Sequence, residues 1–406
     1  MSRILLGVAG GIAAYKACLL LRSFTEAGHE VTVVPTPSAL NFVGEATWAA
    51  LSGRPVCTEV WQRAHEVPHV ALGRAAELVV VAPATADLLA RAASGRADDL
   101  LTNVLLTATC PVLMAPAMHT EMWLHPATVA NVGTLRERGV IVLDPDSGRL
   151  TGSDTGPGRL PEPSEIDQVA GALLEAGVAD AVRSRDLAGV RLAVSAGGTR
   201  EAIDPVRYLG NSSSGRMGLA IARAAALRGA AVTVVAAAIS AEVPSGAAIV
   251  RVDSTADLAG AMLALAPETD VIVMAAAPAD FTPSDPSGVK LKKHGDEGLV
   301  LRLTQTTDVL ATLVRRRSAG QLIVGFAAET AGSEQDLLRL GEAKLARKGC
   351  DLLVLNDVSG GAVFGAADNQ VTILDSAGVV DRAGGDKNLI AHRILDAIVS
   401  AKGTTR

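Results

Sequence analysis

The feature that most constrains the fold is a local pattern that occurs twice along the chain. Near the N-terminus the sequence reads RILLGVAGG, an alanine-rich stretch and then GHEVTVV. From residue 190 it reads VRLAVSAGG, later an alanine-rich stretch and then GAAVTVV. Each copy predicts a strand, a glycine turn, a helix and a second strand, which is a βαβ unit with parallel strands. The repetition therefore predicts two α/β domains.

Further short apolar runs continue the pattern in both halves. ELVVVAPAT, CPVLMAPAM and GVIVLDP follow in the first half, and DVIVMAAAPAD, QLIVGFAAET and CDLLVLNDV follow in the second. Helical stretches such as ADLLARAASG and DLAGAMLALAP lie between them. This alternation predicts two Rossmann-like domains, each a mostly parallel sheet flanked by helices. We expect domains at residues 1–181 and 190–406, joined by a polar linker at 182–189.

Composition narrows the class of protein. Hydrophobic residues make up 49% of the 406 residues but aromatic residues only 2%, so the cores must consist of Ala, Val and Leu. A net charge of -6 argues against a nucleic-acid partner. The four cysteines form no CxxC pair, which argues against a disulfide framework or a zinc ribbon.

The apolar N-terminus resembles a targeting segment only superficially. Gly7, Gly10 and Gly11 interrupt it, and an amphipathic pattern follows, so we interpret it as a strand, a turn and a helix. No apolar run is long enough to span a bilayer. We expect a cytoplasmic protein with no membrane partner.

The first glycine loop, GVAGGIAAYK, lies between a predicted strand and a predicted helix. Free backbone N–H groups at such a helix start favour a phosphate. The loop is not GxGxxG, and the next strand ends in PTPS rather than in an acidic residue that could hold a ribose hydroxyl. A mononucleotide such as FMN fits this loop better than a dinucleotide, and a plain tight turn fits it equally well.

Residues 65–69, HEVPH, have the spacing of a zinc protease motif. That motif needs one helix to present both histidines on one face. Pro68 would break such a helix. We expect instead that Pro68 begins a new helix, with His69 in its first turn.

The first half resembles the flavin-dependent cysteine decarboxylases, of the phosphopantothenoylcysteine decarboxylase type. GGIAAYK, HVAL, APATADLLAR, PAMHTEMW and DTGPGR occur in the family's order, over roughly residues 1–180. The resemblance implies an FMN cofactor and an active-site base at His69. It implies cofactor contacts at Gly10, Gly11, Thr36, Thr85, Asp87 and Met118. Thr36, Thr85 and Asp87 are also plausible cap or turn residues.

The chemistry that this resemblance implies is an oxidative decarboxylation. The flavin oxidises the cysteine thiol of the substrate, CO2 is lost, and the enethiol that remains is reduced. The chain departs from the family at two positions: His119 replaces the asparagine that grips the substrate carboxylate, and Gly152 replaces a proton-donating cysteine. His119, Thr151 or water must then supply the proton, unless the second half-reaction is absent.

The second half carries two candidate anion sites. SAGGTREAIDPVRYLGNSSSGRMG offers donors from Asn211 to Gly215 at a helix start, although a capped loop is the simpler interpretation. Lys290, Lys292 and Lys293 lie in KLKKHG, and Lys344 and Lys348 share one face of a predicted helix. These lysines could surround a triphosphate or form a solvated charge run, and their spacing favours neither.

AGGTREAIDPVRYLGNSSSGRMG, AAAPADF, VKLKK, GFAAET and NDV resemble phosphopantothenate–cysteine ligase, over about residues 188–400. The bacterial type uses CTP with Mg2+ and passes through an acyl-cytidylate, releasing pyrophosphate and then CMP. The resemblance implies a catalytic lysine at Lys290 and an acyl-cytidylate contact at Asn211. It implies nucleotide contacts at Met274, Ala275, Ala276, Asp280, Lys290, Lys292, Thr306, Thr307, Asp308, Val309, Phe326, Lys344 and Lys348. No metal ligand is identified.

Together the halves resemble a bifunctional coenzyme A biosynthesis enzyme, in which the second domain makes the substrate of the first. The implied partners are 4'-phosphopantothenate, cysteine and CTP. The family also implies a homo-oligomer, with a trimer-based decarboxylase core, dodecamers and paired ligase domains. Two alternatives stay open: a regulatory flavoprotein, and a ligase whose first domain is an inactive scaffold.

Overall fold

The computed structural model describes residues 1–58, 67–150, 154–175, 177–241, 243–292, 298–357 and 368–404. The chain divides into two compact units, Met1–Ser184 and Arg185–Arg406. The division falls within the predicted linker 182–189. That segment is more ordered than a polar linker, because Val182 lies in a helix and Val182 and Leu187 are buried.

Unit 1 contains a parallel sheet with helices along the chain between its strands. Its strands are β1 (Arg3–Val8), β2 (Glu30–Pro35), β3 (Leu78–Ala84), β4 (Val112–Pro116), β5 (Ile141–Val142), β6 (Asp146–Arg149) and β7 (Thr155–Arg159). Its helices are α1 (Ala14–Glu26), α2 (Glu45–Ser52), α3 (Pro68–Ala75), α4 (Ala86–Ser94), α5 (Leu100–Thr107), α6 (Thr120–Trp123), α7 (Pro126–Glu137), α8 (Pro163–Leu173) and α9 (Val178–Ser184).

Among the described residues of unit 1, five strands pair in the order β2-β1-β3-β4-β5, all parallel. Every residue of β3 is buried, as expected for a central strand covered on both faces. Strands β6 and β7 form a separate antiparallel hairpin. The parallel arrangement brings the loops after β1, β2, β3 and β4 to one edge of the sheet.

Unit 2 repeats the architecture with a larger sheet. Its strands are β8 (Arg191–Ala196), β9 (Arg200–Ala202), β10 (Tyr208–Gly210), β11 (Ala231–Ala236), β12 (Ala248–Arg251), β13 (Val271–Met274), β14 (Phe281–Pro283), β15 (Leu303–Gln305), β16 (Leu322–Glu329), β17 (Leu352–Asp357), β18 (Asp368–Asp375) and β19 (Gly378–Asp386). Its helices are α10 (Arg216–Leu227), α11 (Thr255–Leu265), α12 (Val309–Arg316), α13 (Glu334–Lys348) and α14 (Lys387–Thr404).

The described strands of the large sheet in unit 2 run in the order β12-β11-β8-β13-β16-β17-β18-β19. Pairs from β12 to β17 are parallel, whereas β18 and β19 are antiparallel additions. Alternate residues of β8 face different cores: Leu192 and Val194 pack with α10 and α14, and Ala193 packs with α11, α12 and α13. Both faces are therefore covered, which confirms the predicted fold class.

Within the described ranges, no helix is both long enough and apolar enough to cross a membrane.

Candidate active sites

In unit 1, the loops at the carboxyl edge of the sheet approach one another closely at the two glycines after β1. A Cβ on Gly10 would lie 2.4 Å from Ser38 Cβ, in the segment that follows β2. A Cβ on Gly11 would lie 3.6 Å from Thr85 Cγ2, after β3. The absence of a side chain at Gly10 therefore lets two loops meet, and it leaves the β1–α1 loop close to both neighbours.

The polar residues of this edge also have structural roles. The hydroxyl of Thr85 accepts a hydrogen bond from the Leu88 N–H at the start of α4, 3.3 Å away. The hydroxyl of Thr36 is buried and accepts from the Ala39 N–H at 3.3 Å. Asp87 is exposed in the first turn of α4 and pairs with Arg91. The cap and turn roles that the sequence allowed are present, and Thr85 still lies beside Gly11.

The loop after β4 carries Met118 and His119 and is covered by the β6–β7 hairpin. The Met118 N–H donates to the carbonyl of Gly158 at 2.9 Å, and a Cβ on Gly158 would lie 2.2 Å from the Met118 oxygen. His119 is exposed and is the N-cap residue of α6. The two glycines of β7, Gly156 and Gly158, let the hairpin lie directly on this loop.

His69 lies in the first turn of α3, which begins at Pro68 as predicted. Its Nδ1 atom is buried and has no hydrogen-bond partner among the described residues. The Thr107 hydroxyl donates to the His69 carbonyl at 2.8 Å, so the backbone is held against α5. Among the described residues, no hydrogen bond joins His69 to the glycine loop, so its relation to that loop stays a prediction. A buried imidazole nitrogen without a partner calls for an explanation, and a catalytic role is one such explanation.

A flavin mononucleotide fits this edge of unit 1. The loops that carry Gly10, Gly11, Thr85 and Met118 all follow parallel strands, where α/β proteins bind ligands.

An ion-pair cluster joins α1 to the end of the hairpin. Lys16, in the first turn of α1, pairs with Glu162 at 2.8 Å, and Arg159 pairs with the same carboxylate at 2.7 Å. The hydrogen bond from Lys16, with both positive charges, holds the pKa of Glu162 below its usual range against the effect of burial.

In unit 2, a cavity of about 520 Å³ opens at the carboxyl edge of the sheet. This volume is in the range of small-molecule sites. Its lining includes the nucleotide-site residues predicted from the sequence other than Lys290 and Lys292, namely Asn211, Met274, Ala275, Ala276, Asp280, Thr306, Thr307, Asp308, Val309, Phe326, Lys344 and Lys348. Residues that are distant in the sequence are thus brought to one cavity.

Two buried hydroxyls organise the floor of this cavity. Ser195 Oγ accepts from the Ala276 N–H at 3.0 Å, and Thr199 Oγ1 accepts from the Ala279 N–H at 2.8 Å. The amide of Asn211 donates to the Pro278 carbonyl at 2.9 Å. These bonds fix the backbone after β13. The motif match did not identify Ser195 and Thr199, although both lie in the AVSAGGT stretch.

The cavity carries cations from α13, held by carboxylates. Lys344 pairs with Glu329 at 2.7 Å, and Lys348 pairs with Asp308, the N-cap residue of α12. Burial raises the pKa of Asp308, but the hydrogen bond from Lys348 and further interactions outweigh it, so that pKa lies below its usual range. The predicted shared face of Lys344 and Lys348 is confirmed.

Lys290 and Lys292 do not line the cavity, and both are exposed in the segment after β14. Lys293 lies outside the described residues, as do His65, Glu66, Thr151 and Gly152. Within the described ranges, no group of three or more His, Cys, Asp or Glu side chains could hold a metal ion.

The cavity also contains polar residues that the motif match did not assign. Asn356, Asn369 and Lys387 line it, and Asn356 Oδ1 is buried without a partner among the described residues. Asn356 belongs to the NDV motif, so its type and place were available signals. Lys387 begins α14, a helix that no motif marked.

Comparisons with known proteins cover both units. A family model described as "Flavoprotein" matches residues 1–174, and one described as "DNA/pantothenate metabolism flavoprotein C-terminal domain" matches residues 187–401. "Coenzyme A biosynthesis bifunctional protein CoaBC" of Mycobacterium tuberculosis (strain ATCC 25618 / H37Rv) is 57% identical over 405 residues, covering 98% of this chain and 96% of that protein. The protein of the same name from Bacillus subtilis (strain 168) is 42% identical over 91% of this chain and 89% of its own length.

Solved structures are similar to each half. "Crystal structure of the C-terminal Domain of Coenzyme A biosynthesis bifunctional protein CoaBC" is 32% identical with a TM-score of 0.44, covering 53% of this chain and 97% of that chain. "Crystal Structure of FMN-dependent Cysteine Decarboxylases SpaF" is 32% identical with a TM-score of 0.38, covering 43% and 98% respectively.

Proposed function

Because the chain belongs to the family of coenzyme A biosynthesis bifunctional proteins, with a flavoprotein decarboxylase domain and a ligase domain, we propose that its two candidate sites carry consecutive reactions. The cavity of unit 2 joins 4'-phosphopantothenate to cysteine with CTP. The carboxyl edge of unit 1 converts the product to 4'-phosphopantetheine and CO2. The single observation that carries the ligase assignment is that one cavity collects the predicted nucleotide residues from five separate segments.

In unit 2, the substrate carboxylate attacks the α-phosphate of CTP and pyrophosphate leaves. The amine of cysteine then attacks the carbonyl of the acyl-cytidylate and CMP leaves. Negative charge increases in the first step, so Lys344, Lys348 and the backbone donors of residues 212–215 stabilise it. Mg2+ would supply further positive charge when it accompanies the nucleotide. Asn211 holds the acyl-cytidylate. Lys290 supplies a further positive charge from the exposed segment after β14, outside the cavity lining.

In unit 1, FMN supplies the oxidation of the substrate thiol that makes CO2 loss easy, and the reduction that follows. The β1–α1 loop and Thr85 would hold the phosphate and ribityl end of the cofactor, and Met118 lies in the loop under the hairpin. The imidazole of His69, whose Nδ1 is buried and unpartnered, acts as the base and takes up the proton that the substrate thiol releases on oxidation. His119 donates a hydrogen bond to the substrate carboxylate and, because an imidazole can carry and transfer a proton whereas an amide cannot, returns a proton to the enethiol.

The activity test uses the purified protein with phosphopantothenate, cysteine, CTP and Mg2+, with the products followed by mass spectrometry. We expect phosphopantetheine, CO2, CMP and pyrophosphate, and a yellow protein with flavin absorbance. Accumulation of phosphopantothenoylcysteine would leave only the ligase, with unit 1 an inactive scaffold. Absence of nucleotide turnover would contradict the ligase assignment. Replacing CTP with ATP tests the nucleotide preference.

We also propose that the protein acts as a homo-oligomer, with trimers of the decarboxylase unit, paired ligase units and a dodecameric assembly. This proposal rests on the assembly that the family resemblance of the two halves implies. Light scattering of the purified protein measures the assembly mass directly, and a monomer would contradict it.

A further inference from the structure

The lysine loop, residues 287–292, carries Lys290 outside the cavity of unit 2. Both Lys290 and Lys292 are exposed, so their own side chains do not fix the loop. A lysine can stabilise charge in the reaction only if the backbone beneath it is held where the side chain can reach the substrate. The contacts that hold this backbone therefore bear on catalysis.

One short turn, residues 203–207, holds the lysine loop by its backbone. Asp204 Oδ2 accepts from the N–H of Leu291 at 3.1 Å, and Arg207 Nη1 donates to the carbonyl of Leu291 at 3.1 Å. The N–H of Ser287 donates to the carbonyl of Ile203 at 2.9 Å. The residue that follows Lys290 is thus fixed by both of its peptide groups, to a segment more than eighty positions earlier in the chain.

The two carboxylate oxygens of Asp204 accept different hydrogen bonds. Oδ1 accepts from the N–H groups of Val206 and Arg207, both at 2.8 Å, which closes the turn itself. Oδ2 accepts from Leu291 and from the guanidinium of Arg207, at 2.7 Å for the latter. One oxygen therefore builds the turn, and the other binds the lysine loop.

The carboxylate of Asp204 is almost fully buried, at 3% exposure. Burial raises its pKa, but three backbone N–H donors and the charge of Arg207 outweigh this, so the pKa lies below its usual range and the group stays ionised. Burying a charge is costly unless it is fully hydrogen-bonded. A half-buried aspartate also closes a turn with two backbone N–H donors, as Asp375 does between β18 and β19. The turn alone therefore does not account for the burial of Asp204, whereas the bond to Leu291 does.

We propose that Asp204 is a positioning residue for ligation, acting through Lys290 by anchoring the backbone of Leu291. The proposal rests on the proposed function, in which Lys290 is the catalytic lysine. Asp204 does not line the cavity, so it has no direct contact with the nucleotide site. Loss of Asp204 should therefore lower the rate of the chemical step rather than weaken CTP binding.

The test is Asp204→Asn. The amide oxygen of asparagine can still accept the hydrogen bonds that close the turn, but its NH2 group would face the Leu291 N–H and the Arg207 guanidinium, and it cannot accept from them. We expect kcat for ligation to fall by about tenfold to a hundredfold, with KM for CTP unchanged. Decarboxylation of supplied phosphopantothenoylcysteine should be unchanged. Hydrogen exchange should accelerate at the Leu291 amide, while the amides of Val206 and Arg207 stay protected.

A second variant isolates the contact without touching the turn. Leucic acid, the α-hydroxy analogue of leucine, is placed at position 291. The substitution replaces only the N–H that donates to Asp204, with an ester oxygen. We expect the same loss of kcat as in Asp204→Asn. Asp375→Asn, which removes a charge from a turn without a lysine loop, is the matched control and should leave ligation at the normal rate.

Three outcomes distinguish the possibilities. If Lys290→Gln leaves a slow but measurable ligation and Asp204→Asn adds no further loss in that background, Asp204 acts through Lys290. If Lys290→Gln removes ligation but Asp204→Asn and the ester variant are as active as Asp375→Asn, the positioning role is overturned while the proposed function stands. If Lys290→Gln ligates normally, the proposed role of Lys290 is wrong and the inference fails with it.

Discussion

At the level of single residues, His119 is where the chain departs most clearly from the decarboxylase motif. It is exposed at the N-cap of α6, beneath the hairpin whose Gly158 carbonyl accepts the Met118 N–H. An asparagine at this position could donate a hydrogen bond to a carboxylate. Only the imidazole can also release a proton near neutral pH. The proposed donor role of His119 therefore predicts a specific defect in the His119→Asn variant.

We expect His119→Asn to bind the substrate and lose CO2 but to reduce the enethiol about a hundredfold more slowly. Single-turnover mass spectrometry should detect the accumulated enethiol. His125→Asn is the matched control. Like His119, His125 is exposed at a helix N-cap; its own Nδ1 accepts from the backbone N–H of Ala127. Normal formation of phosphopantetheine by His119→Asn would leave residue 119 a clamp only.

The sequence predicted functional residues where side-chain type carried the chemistry. Lys344, Lys348 and Asp308 were found by motif, and the structure brings them to one cavity. Ser195 and Thr199 were missed because their role depends on burial and on the backbone amides above them, which no motif records. Asp204 was missed for the same reason, since its partner Leu291 is distant in the sequence.

At the level of secondary structure, most of the parallel strands were predictable because they are short apolar runs that alternate with helical stretches. The edge strand β12 and the antiparallel pair β18 and β19 were not predicted. β19 reads GVVDRAGGD and is largely exposed, so it has no continuous apolar run that would mark it as a strand. A strand at the edge of a sheet is not buried on both faces, so it does not need the continuous apolar run that identifies a central strand in the sequence.

The β1–α1 loop gives a prediction at this level. In Gly10→Ala the new Cβ would lie 2.4 Å from Ser38 Cβ and 2.8 Å from its carbonyl carbon, so the two loops must separate. We expect bound flavin to fall at least tenfold, measured by absorbance per protein, while ligation continues. Gly133→Ala, in α7 with open space around the new Cβ, is the control. Full flavin retention in Gly10→Ala would show that this loop does not hold the cofactor.

At the level of the whole molecule, the stability of unit 2 should depend on a buried histidine. His392 is 2% exposed, and burial together with the positive charge of Arg228 lowers its pKa to about 4 from 6.5. The unfolded chain therefore takes up a proton near pH 6.5, whereas the folded chain does so only near pH 4. The contribution of His392 to stability is complete above pH 6.5 and falls by about 1.4 kcal/mol per pH unit between these values.

Denaturant unfolding of the full chain at pH 7 and pH 5 measures this effect. We expect the wild type to lose about 2 kcal/mol more than His392→Gln between the two values, because the variant has no imidazole to titrate. His125→Gln, which changes an exposed histidine of unit 1, should behave as the wild type. An equal pH dependence in His392→Gln and the wild type would contradict a buried neutral His392.

The central claim is that two separate sites carry consecutive reactions, and a mixing experiment tests it most directly. His69→Asn protein with phosphopantothenate, cysteine, CTP and Mg2+ should accumulate phosphopantothenoylcysteine, because its ligase unit is intact. Lys290→Gln protein alone should make nothing from these substrates. Combined, the two variants should release phosphopantetheine, measured by mass spectrometry. If the mixture formed no phosphopantetheine while each variant stayed folded and flavin-bound, the account of two independent sites would be contradicted.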